Sequence, residues 1–369
     1  MRGRLRDLSA VHGQSPWLDN LQRSFFASGR LEGMIARGVR GLTSNPTIFQ
    51  KAIQGSTDYD AQFASEIAMG LSPLEAYWEL VISDIHSALD CFAPLHAESG
   101  GTDGFVSVEV DPSLAHDGEA TLAAARALHE RISRPNVMIK IPATQEGLAA
   151  IRRMISEGRN VNVTLIFSLE RYDAVIDAYI GGLEDRAAAG QPVTGTASVA
   201  SFFISRVDNE VDRRLESAGT AEALALRGTA AVNQARLAYD LFRRRFSGPR
   251  WQALETLGAQ VQRPLWASTS TKNPAYPDTL YVDSLIGPGT VNTLPDATLE
   301  AFDDHGTLAR TIDSEVDRAR AQWETLGGLG VDTSQVAEQL EREGVASFIA
   351  SFDELIAALE AKAAALGKS

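Results

Sequence analysis

The sequence predicts an α/β protein in which parallel strands close into a barrel. Short segments of alternating apolar and polar residues recur along the 369-residue chain, and long stretches with helical spacing separate them. Alternation over a few residues is typical of a strand, and strands that alternate with helices pair in parallel through crossover connections. An antiparallel sheet with one solvated face also alternates, but long helices between its strands would not be expected.

Three of these segments have an apolar face and a polar face, because successive side chains of a strand point to opposite sides. Polar side chains near strand ends project into the central pocket of a parallel barrel, while the apolar faces pack on the outer helices. We therefore expect the polar faces to converge on one site. They carry Ser107 and Glu109 in residues 105–110, Asn160, Asn162 and Thr164 in residues 160–165, and Ser268, Ser270 and Lys272 in residues 265–272.

The segment of residues 136–142 places a single lysine, Lys140, in an apolar run without an acidic neighbour. Burial disfavours a charged ammonium group, and a neutral lysine amine is the nucleophile that forms Schiff bases. A lysine at a barrel end that forms an ion pair or extends to solvent would give the same pattern. Both interpretations are compatible with this segment taken alone.

The rest of the length is predicted to consist of helical additions to a single domain that covers residues 1–369. Residues 51–99 have apolar side chains at helical spacing, residues 208–260 are predicted to form two helices, and residues 336–365 a terminal pair with Gly344 as a stop signal. No repeat or linker-like segment divides the chain. A barrel of about 250 residues commonly carries such insertions.

Composition and charge argue against several classes of function. The formal net charge of −14, with no basic block, argues against a nucleic-acid surface. No run approaches the ~18 apolar residues of a membrane span, and the first residues lack the apolar core of a secretory signal. The single Cys91 excludes an intramolecular disulfide and is typical of a reducing cytosol. We expect a cytoplasmic protein without nucleic-acid or membrane partners; a monomer and a homodimer are both compatible with the sequence.

The motifs of common cofactors are weak or missing. The six histidines are scattered without the spacing of a metal-ligand motif, so no metal site is expected. Gly181 and Gly182 follow an apparent helix, and residues 286–289 interpose a proline where a phosphate cradle needs free N–H groups. A Gly-x-Ser-x-Gly nucleophile elbow does not occur. No cofactor is predicted.

Six ordered segments of the chain resemble the transaldolase family. They are GLTSNPTIF (41–49), VEVDP (108–112), MIKIPAT (138–144), NVNVTLIFS (160–168), SFFISRV (201–207) and TVNTLP (290–295). The resemblance extends from about Trp17 to about Phe302 and includes the intervals between segments. It implies a single (β/α)₈ barrel with extra helices, which transfers a dihydroxyacetone unit between sugar phosphates in the pentose phosphate pathway. The usual substrates are sedoheptulose 7-phosphate and glyceraldehyde 3-phosphate, and the products are erythrose 4-phosphate and fructose 6-phosphate.

The resemblance also implies four catalytic residues. Lys140 is similar to the lysine that forms an imine with the ketose carbonyl. Glu109 and Thr164 match the pair that holds the catalytic water, and Asp19, which ends the predicted first strand, matches the acid/base for the hydroxyl of the breaking bond. Local sequence alone would make Asp19 a helix N-cap. Retro-aldol cleavage leaves a carbanion, which a protonated imine delocalises without a metal.

Seven further residues are similar to substrate-binding residues of the family. These are Asn45, Asn162, Ser201, Phe203, Arg206, Ser270 and Lys272. The two asparagines match amides that bind hydroxyl groups of the donor, and Ser201 matches another substrate contact. The last three residues fall where the family binds the distal phosphate. Lys272 stands in place of an arginine, which keeps the charge but loses the bidentate fork.

Two other functions are alternatives to transfer. A fructose 6-phosphate aldolase would need a group that orients water, and aldolase relatives carry a tyrosine where this chain has Phe203. Phenylalanine donates no hydrogen bond, so transfer is favoured over simple cleavage. A catalytically silent barrel that acts as a binding protein would have no need of Asp19, Glu109, Lys140 and Thr164 together.

Overall fold

Eight parallel strands close into one barrel in the computed structural model, which describes residues 3–366. The strands are β1 Gln14–Leu18, β2 Gly41–Thr43, β3 Phe105–Glu109, β4 Val137–Pro142, β5 Val161–Ile166, β6 Ser198–Phe203, β7 Arg263–Ala267 and β8 Thr290–Leu294. The prediction of a (β/α)₈ barrel with extra helices is confirmed. The domain bounds 1–369 stay a prediction. Residues 1–2, which begin the segment assessed for a secretory signal, and residues 367–369 lie outside the described part.

Helices surround the barrel and fill the connections between strands. They are α1 Arg4–Ala10, α2 Ser24–Ala27, α3 Arg30–Arg37, α4 Pro46–Gln54, α5 Asp60–Ala68, α6 Pro73–Glu98, α7 Gly118–Ile132, α8 Gly147–Ser156, α9 Leu169–Ala188, α10 Ser205–Ala218, α11 Ala221–Ala225, α12 Ala230–Arg245, α13 Pro249–Thr256, α14 Leu280–Asp283, α15 Asp296–His305, α16 Val316–Gly328 and α17 Thr333–Leu366. Within residues 3–366, no helix combines the length and the hydropathy needed to cross a membrane.

The order of strands around the barrel is the order in the chain. Each strand pairs with its sequence neighbours, and β8 returns to pair with β1 over its whole length. In this register Glu109 is opposite Lys140, and Lys140 is opposite Asn162. Three polar side chains from β3, β4 and β5 therefore lie at one level, near the carboxyl ends where barrel sites form.

Helix α6 begins at a capping box and is stabilised by burial of one face. Ser72 accepts a hydrogen bond from Glu75 N at 3.3 Å, and Glu75 Oε2 accepts one from Ser72 N at 2.8 Å. This capping box, followed by Pro73 in the first turn, satisfies N–H groups that have no partner within the helix. Val81 and Ile85, one turn apart, are fully buried against the core, as the helical spacing in residues 51–99 predicts.

The predicted strand over residues 265–272 is too long. Strand β7 ends at Ala267, and Ser268 has a left-handed backbone with φ of 57°. This turn ends the alternation, so Ser268, Ser270 and Lys272 do not share one face of a strand as predicted. Ser270 and Lys272 lie in the loop after β7.

Two predictions about helices are also wrong. The region predicted as two helices contains four, α10 to α13, and the terminal pair is the single 34-residue helix α17. Gly344 lies inside α17 rather than at its end. A Cβ atom there would lie 3.0 Å from Leu165 Cδ2 and 3.4 Å from a guanidinium nitrogen of Arg206. The glycine lets α17 pack closely over the barrel end, which offsets its low helix propensity.

Candidate active site

A cavity of about 140 Å³ lies at the carboxyl ends of the strands. Most of the predicted site residues line it. They are Asp19, Asn45, Lys140, Thr164, Ser201, Phe203, Arg206, Ser270 and Lys272. The remaining two, Glu109 and Asn162, are buried directly behind this wall and contact residues that line it.

Lys140 lies in the middle of this group. Its Nζ atom is 3.1 Å from Glu109 Oε2, and it donates a hydrogen bond to the carbonyl oxygen of Ser44 at 3.0 Å. Both side chains of the ion pair are almost fully buried, with 6% and 3% of their surface exposed. The ion pair that the sequence allowed as an alternative is present. It lies at the cavity wall, so it also holds the amine where a substrate could reach it.

Glu109 and Thr164 present buried oxygen atoms beside the lysine. Burial raises the pKa of the Glu109 carboxyl, and the positive charge of Lys140 opposes this shift. Within residues 3–366, neither Glu109 Oε2 nor Thr164 Oγ1 has a hydrogen-bond partner of good geometry, although both atoms are buried. The contact of Glu109 with the amine is an ion pair at short distance. Because buried polar atoms are nearly always hydrogen-bonded, we expect substrate or water to bind these two oxygens.

Asp19 directly follows β1 and faces the same cavity. Its backbone N–H donates to the carbonyl oxygen of Leu294 at 3.0 Å, which continues the pairing of β1 with β8. The next helix begins only at Ser24, so Asp19 is not a helix N-cap. Burial raises the pKa of the Asp19 carboxyl, while the positive charges of Lys140 and Lys272 lower it. A carboxyl group of this type can exchange a proton with a nearby hydroxyl.

The two asparagines occupy different depths. Asn45 lies at the cavity and caps α4, since its Oδ1 atom accepts from Ile48 N at 2.9 Å. Asn162 is fully buried: its Nδ2 atom donates to Ser107 Oγ at 3.0 Å, and its Oδ1 atom accepts from Ser201 Oγ at 2.7 Å. Asn162 thus supports Ser201 from behind. A direct contact of Asn162 with substrate stays a prediction.

Two cations, Arg206 and Lys272, also line the cavity. The Arg206 guanidinium carbon is 5.2 Å from the centre of the Phe203 ring, and Lys272 Nζ donates to Ser270 Oγ at 2.8 Å. Burial lowers the pKa of Arg206, with a smaller opposing effect of Glu343. Neither cation forms an ion pair within the described residues, in contrast to most arginines of this acidic chain. Their charge is available to an anion.

Sequence reasoning missed several residues of the site, among them Thr43, Ser44 and Phe348. Thr43 and Phe348 line the cavity, and Ser44 supplies the carbonyl oxygen that accepts from Lys140. Thr43 and Ser44 immediately precede Asn45 in a segment that was recognised, so the position of that segment at a strand end could have indicated them. Phe348 lies on α17, about 200 residues from Lys140. No local pattern connects the two.

Fold and site together define a (β/α)₈ barrel protein with a lysine–carboxylate pair at its catalytic end. The family model described as Transaldolase/Fructose-6-phosphate aldolase matches residues 16–359. The chain belongs to this family.

Proteins from several organisms match almost the entire chain. A protein of Frankia alni named "Transaldolase" is 50% identical over 371 residues, covering 100% of this chain and 99% of its own length. "Transaldolase" of Parafrankia sp. is 52% identical, with 95% and 96% covered. "Transaldolase 1" of Streptomyces coelicolor is 51% identical, with 95% and 92% covered. The match therefore includes the insertions and α17 as well as the barrel.

Proposed function

We propose that this protein is a transaldolase that transfers a dihydroxyacetone unit between sugar phosphates through a Schiff base on Lys140. The observation that carries the proposal is the buried Lys140–Glu109 pair, 3.1 Å apart, in a chain about 50% identical over nearly its full length to proteins named "Transaldolase". The donor and acceptor of the family reaction are sedoheptulose 7-phosphate and glyceraldehyde 3-phosphate. The pathway, the substrates and the role of each residue are taken from the family resemblance.

In the first half-reaction, the Lys140 amine attacks the ketose carbonyl carbon, and water leaves as the imine forms. The amine must first lose a proton, and Glu109 Oε2 is an acceptor 3.1 Å away whose pKa burial raises. Glu109 Oε2, which is ion-paired with Lys140 but has no hydrogen-bond partner of good geometry, and Thr164 Oγ1, which has none either within residues 3–366, support a role in holding a water that moves protons during imine formation and hydrolysis.

Bond cleavage follows from the imine. Asp19 takes the proton of the hydroxyl next to the breaking carbon–carbon bond, the aldehyde leaves, and the electron pair of the bond moves into the imine to give an enamine. In the second half-reaction the enamine attacks an acceptor aldehyde, and hydrolysis frees the new ketose. Asn45 and Ser201 line the cavity beside Lys140, where they would bind hydroxyl groups of the donor.

An assay with and without an acceptor aldehyde distinguishes the proposed transferase from an aldolase. Purified protein with fructose 6-phosphate should release little dihydroxyacetone alone, and should form sedoheptulose 7-phosphate when erythrose 4-phosphate is added. Phe203 favours this outcome, because its ring contacts Phe167 and Arg206 and offers no hydroxyl to orient water. Product analysis by mass spectrometry distinguishes the cases. Release of dihydroxyacetone at the same rate without an acceptor would support the aldolase instead, and no turnover in either mixture would support a silent barrel.

The phosphate end of the substrate is assigned to Arg206, Ser270 and Lys272. Hydrogen bonds to charged groups contribute about 1.5–3 kcal/mol each, which corresponds to about 10- to 150-fold in affinity. Arg206→Ala should therefore raise the KM for fructose 6-phosphate by about this factor and change that for unphosphorylated fructose little. Lys272→Ala should do the same to a smaller extent, since lysine makes a point contact and arginine a fork.

Two matched variants control for the loss of a cation. Arg213→Ala removes an arginine from the same helix as Arg206, but one paired with Glu210 at 2.7 Å. Lys362→Ala removes a lysine of α17 that forms an ion pair with Asp60 of α5. Neither should change the ratio of kcat/KM for the phosphorylated and plain sugars. An equal loss for both sugars in the Arg206 and Lys272 variants would mean that these cations are structural.

A further inference from the structure

The loop of residues 268–279, which carries Ser270 and Lys272, is joined to α10 where it begins. The carbonyl oxygen of Ser268 accepts from Ser205 N at 3.1 Å, and the hydroxyl groups of the two serines are 2.9 Å apart. Ser205 is the first residue of α10 and precedes Arg206. One end of the loop is thus held beside the arginine.

The other end of the loop is joined to the same helix by Tyr276 and by Tyr281, which lies in α14 directly after the loop. Tyr276 Oη donates to Asp212 Oδ2 at 2.6 Å, and Tyr281 Oη donates to Asp208 Oδ2 at 2.7 Å. Asp208 and Asp212 are one turn apart on α10. Asp208 and Tyr281 are almost completely buried, whereas Tyr276 is partly exposed.

The second carboxylate oxygen of each aspartate accepts a hydrogen bond from a backbone N–H group of α12 or of the turn before it. Asp212 Oδ1 accepts from Gly228 N at 2.9 Å, and Asp208 Oδ1 accepts from Ala231 N at 2.7 Å. Gly228 has a φ of 70°, and a Cβ atom at this position would lie 2.8 Å from Cζ of the Tyr276 ring. The turn therefore provides both a donor for Asp212 and the space in which Tyr276 sits. Each aspartate is therefore held by a backbone N–H as well as by a tyrosine.

The loop therefore has fixed ends on the helix that carries Arg206, with Ser270 and Lys272 between those ends. Neither tyrosine lines the cavity. We propose that Tyr276 and Tyr281 are positioning residues that hold Lys272 and Ser270 opposite Arg206, so that one helix sets the spacing of the phosphate-binding groups. This inference rests on the phosphate role proposed above for Arg206 and Lys272.

Tyr276→Phe is the variant that tests the proposal, because it removes the hydroxyl that donates to Asp212 and keeps the ring, at a position that is partly exposed. We expect the KM for fructose 6-phosphate to rise about fivefold, the equivalent of one ordinary hydrogen bond, with kcat within about twofold of wild type. The KM for unphosphorylated fructose should not change. Tyr179→Phe is the matched control, since Tyr179 Oη donates to the carbonyl oxygen of Gln260 at 2.7 Å, away from the cavity.

A double-mutant cycle shows whether Tyr276 acts through Lys272. In the Lys272→Ala background, Tyr276→Phe should raise the KM for fructose 6-phosphate by less than about twofold, because coupled residues are not additive. A full fivefold effect in that background, or an equal effect on both sugars, would overturn the proposal. So would an unchanged KM in Tyr276→Phe.

Failure of the phosphate assignment would look different. If Lys272→Ala and Arg206→Ala leave the preference for phosphorylated sugar intact, the assignment itself is wrong and the tyrosines have no phosphate site to position. If those variants lose the preference and Tyr276→Phe keeps it, the assignment stands and the role of the tyrosines is rejected. Melting temperatures of Tyr276→Phe and Tyr179→Phe, compared with wild type, separate a general loss of stability from the specific change in KM.

Discussion

Replacement of Lys140 by alanine should lower the rate of transfer by about 10⁴-fold or more, since removal of a covalent nucleophile eliminates the intermediate itself. Lys140→Met, which keeps most of the side-chain volume, should be equally inactive. Lys362→Ala, a surface lysine paired with Asp60, should keep wild-type activity. Circular dichroism of each variant checks that the loss is not one of folding, because removal of one partner leaves Glu109 buried without its cation.

Covalent trapping tests the same role in the unmodified protein. Borohydride added with fructose 6-phosphate should inactivate the enzyme and leave a reduced three-carbon unit on Lys140. Peptide mass spectrometry that finds the adduct on Lys51 or Lys272, or finds none, would disprove the role of Lys140. Activity should also persist in EDTA, because the imine takes the place of a metal as electron sink. Loss of activity that a divalent ion restores would contradict this.

Substitution of the two carboxylates should separate imine formation from bond cleavage. Asp19→Ala should still form a trapped adduct, now carrying the intact six-carbon ketose because cleavage is blocked, but should lose transfer by at least about 10²-fold, the usual contribution of a general base. Glu109→Gln should slow the trapping itself by a similar factor, since the proton acceptor 3.1 Å from the amine is gone. Glu338→Gln, a change at an exposed position of α17, serves as control. Equal trapping rates in the Asp19 and Glu109 variants would remove the grounds for assigning them different steps.

The direction of the pKa shifts adds a dependence on pH. Asp19 must be ionised to take a proton, and burial raises the pKa of its carboxyl above the ordinary value of 3.8. Activity should therefore fall as the pH is lowered through this raised pKa, so the acidic limb of the kcat profile should lie above pH 3.8. An acidic limb at or below that pH would show that the ionisation of Asp19 does not limit the reaction.

Much of the site could be predicted because it lies on strands or directly after them. The alternation in β3 and β4 placed Glu109 and Lys140 on inward faces, and the barrel register brings them opposite each other. Asp19 follows β1 and Thr164 lies near the end of β5. Asn45 is both the N-cap of α4 and a residue of the cavity wall.

The loop after β7 could not be predicted in the same way. The alternation was extended through residues 268–272, but Ser268 turns the chain with a φ of 57°. Ser270 and Lys272 still line the cavity, and hydrogen bonds of Ser205 and of the two tyrosine–aspartate pairs connect this region to α10, contacts that the alternation does not contain. These contacts join residues about 60 to 70 positions apart.

The sequence by itself determined the parallel barrel and the inward faces that carry Glu109, Lys140 and Thr164, because a period of two and the order of segments are local properties that burial makes visible. Only the tertiary structure decided that α17 is one helix lying across the barrel end, that Gly344 packs on Leu165, and that Phe348 completes the cavity. The physical reason is distance along the chain. Packing between segments 150 to 300 residues apart depends on the shapes that they meet in the folded molecule, and no periodicity within either segment specifies those shapes.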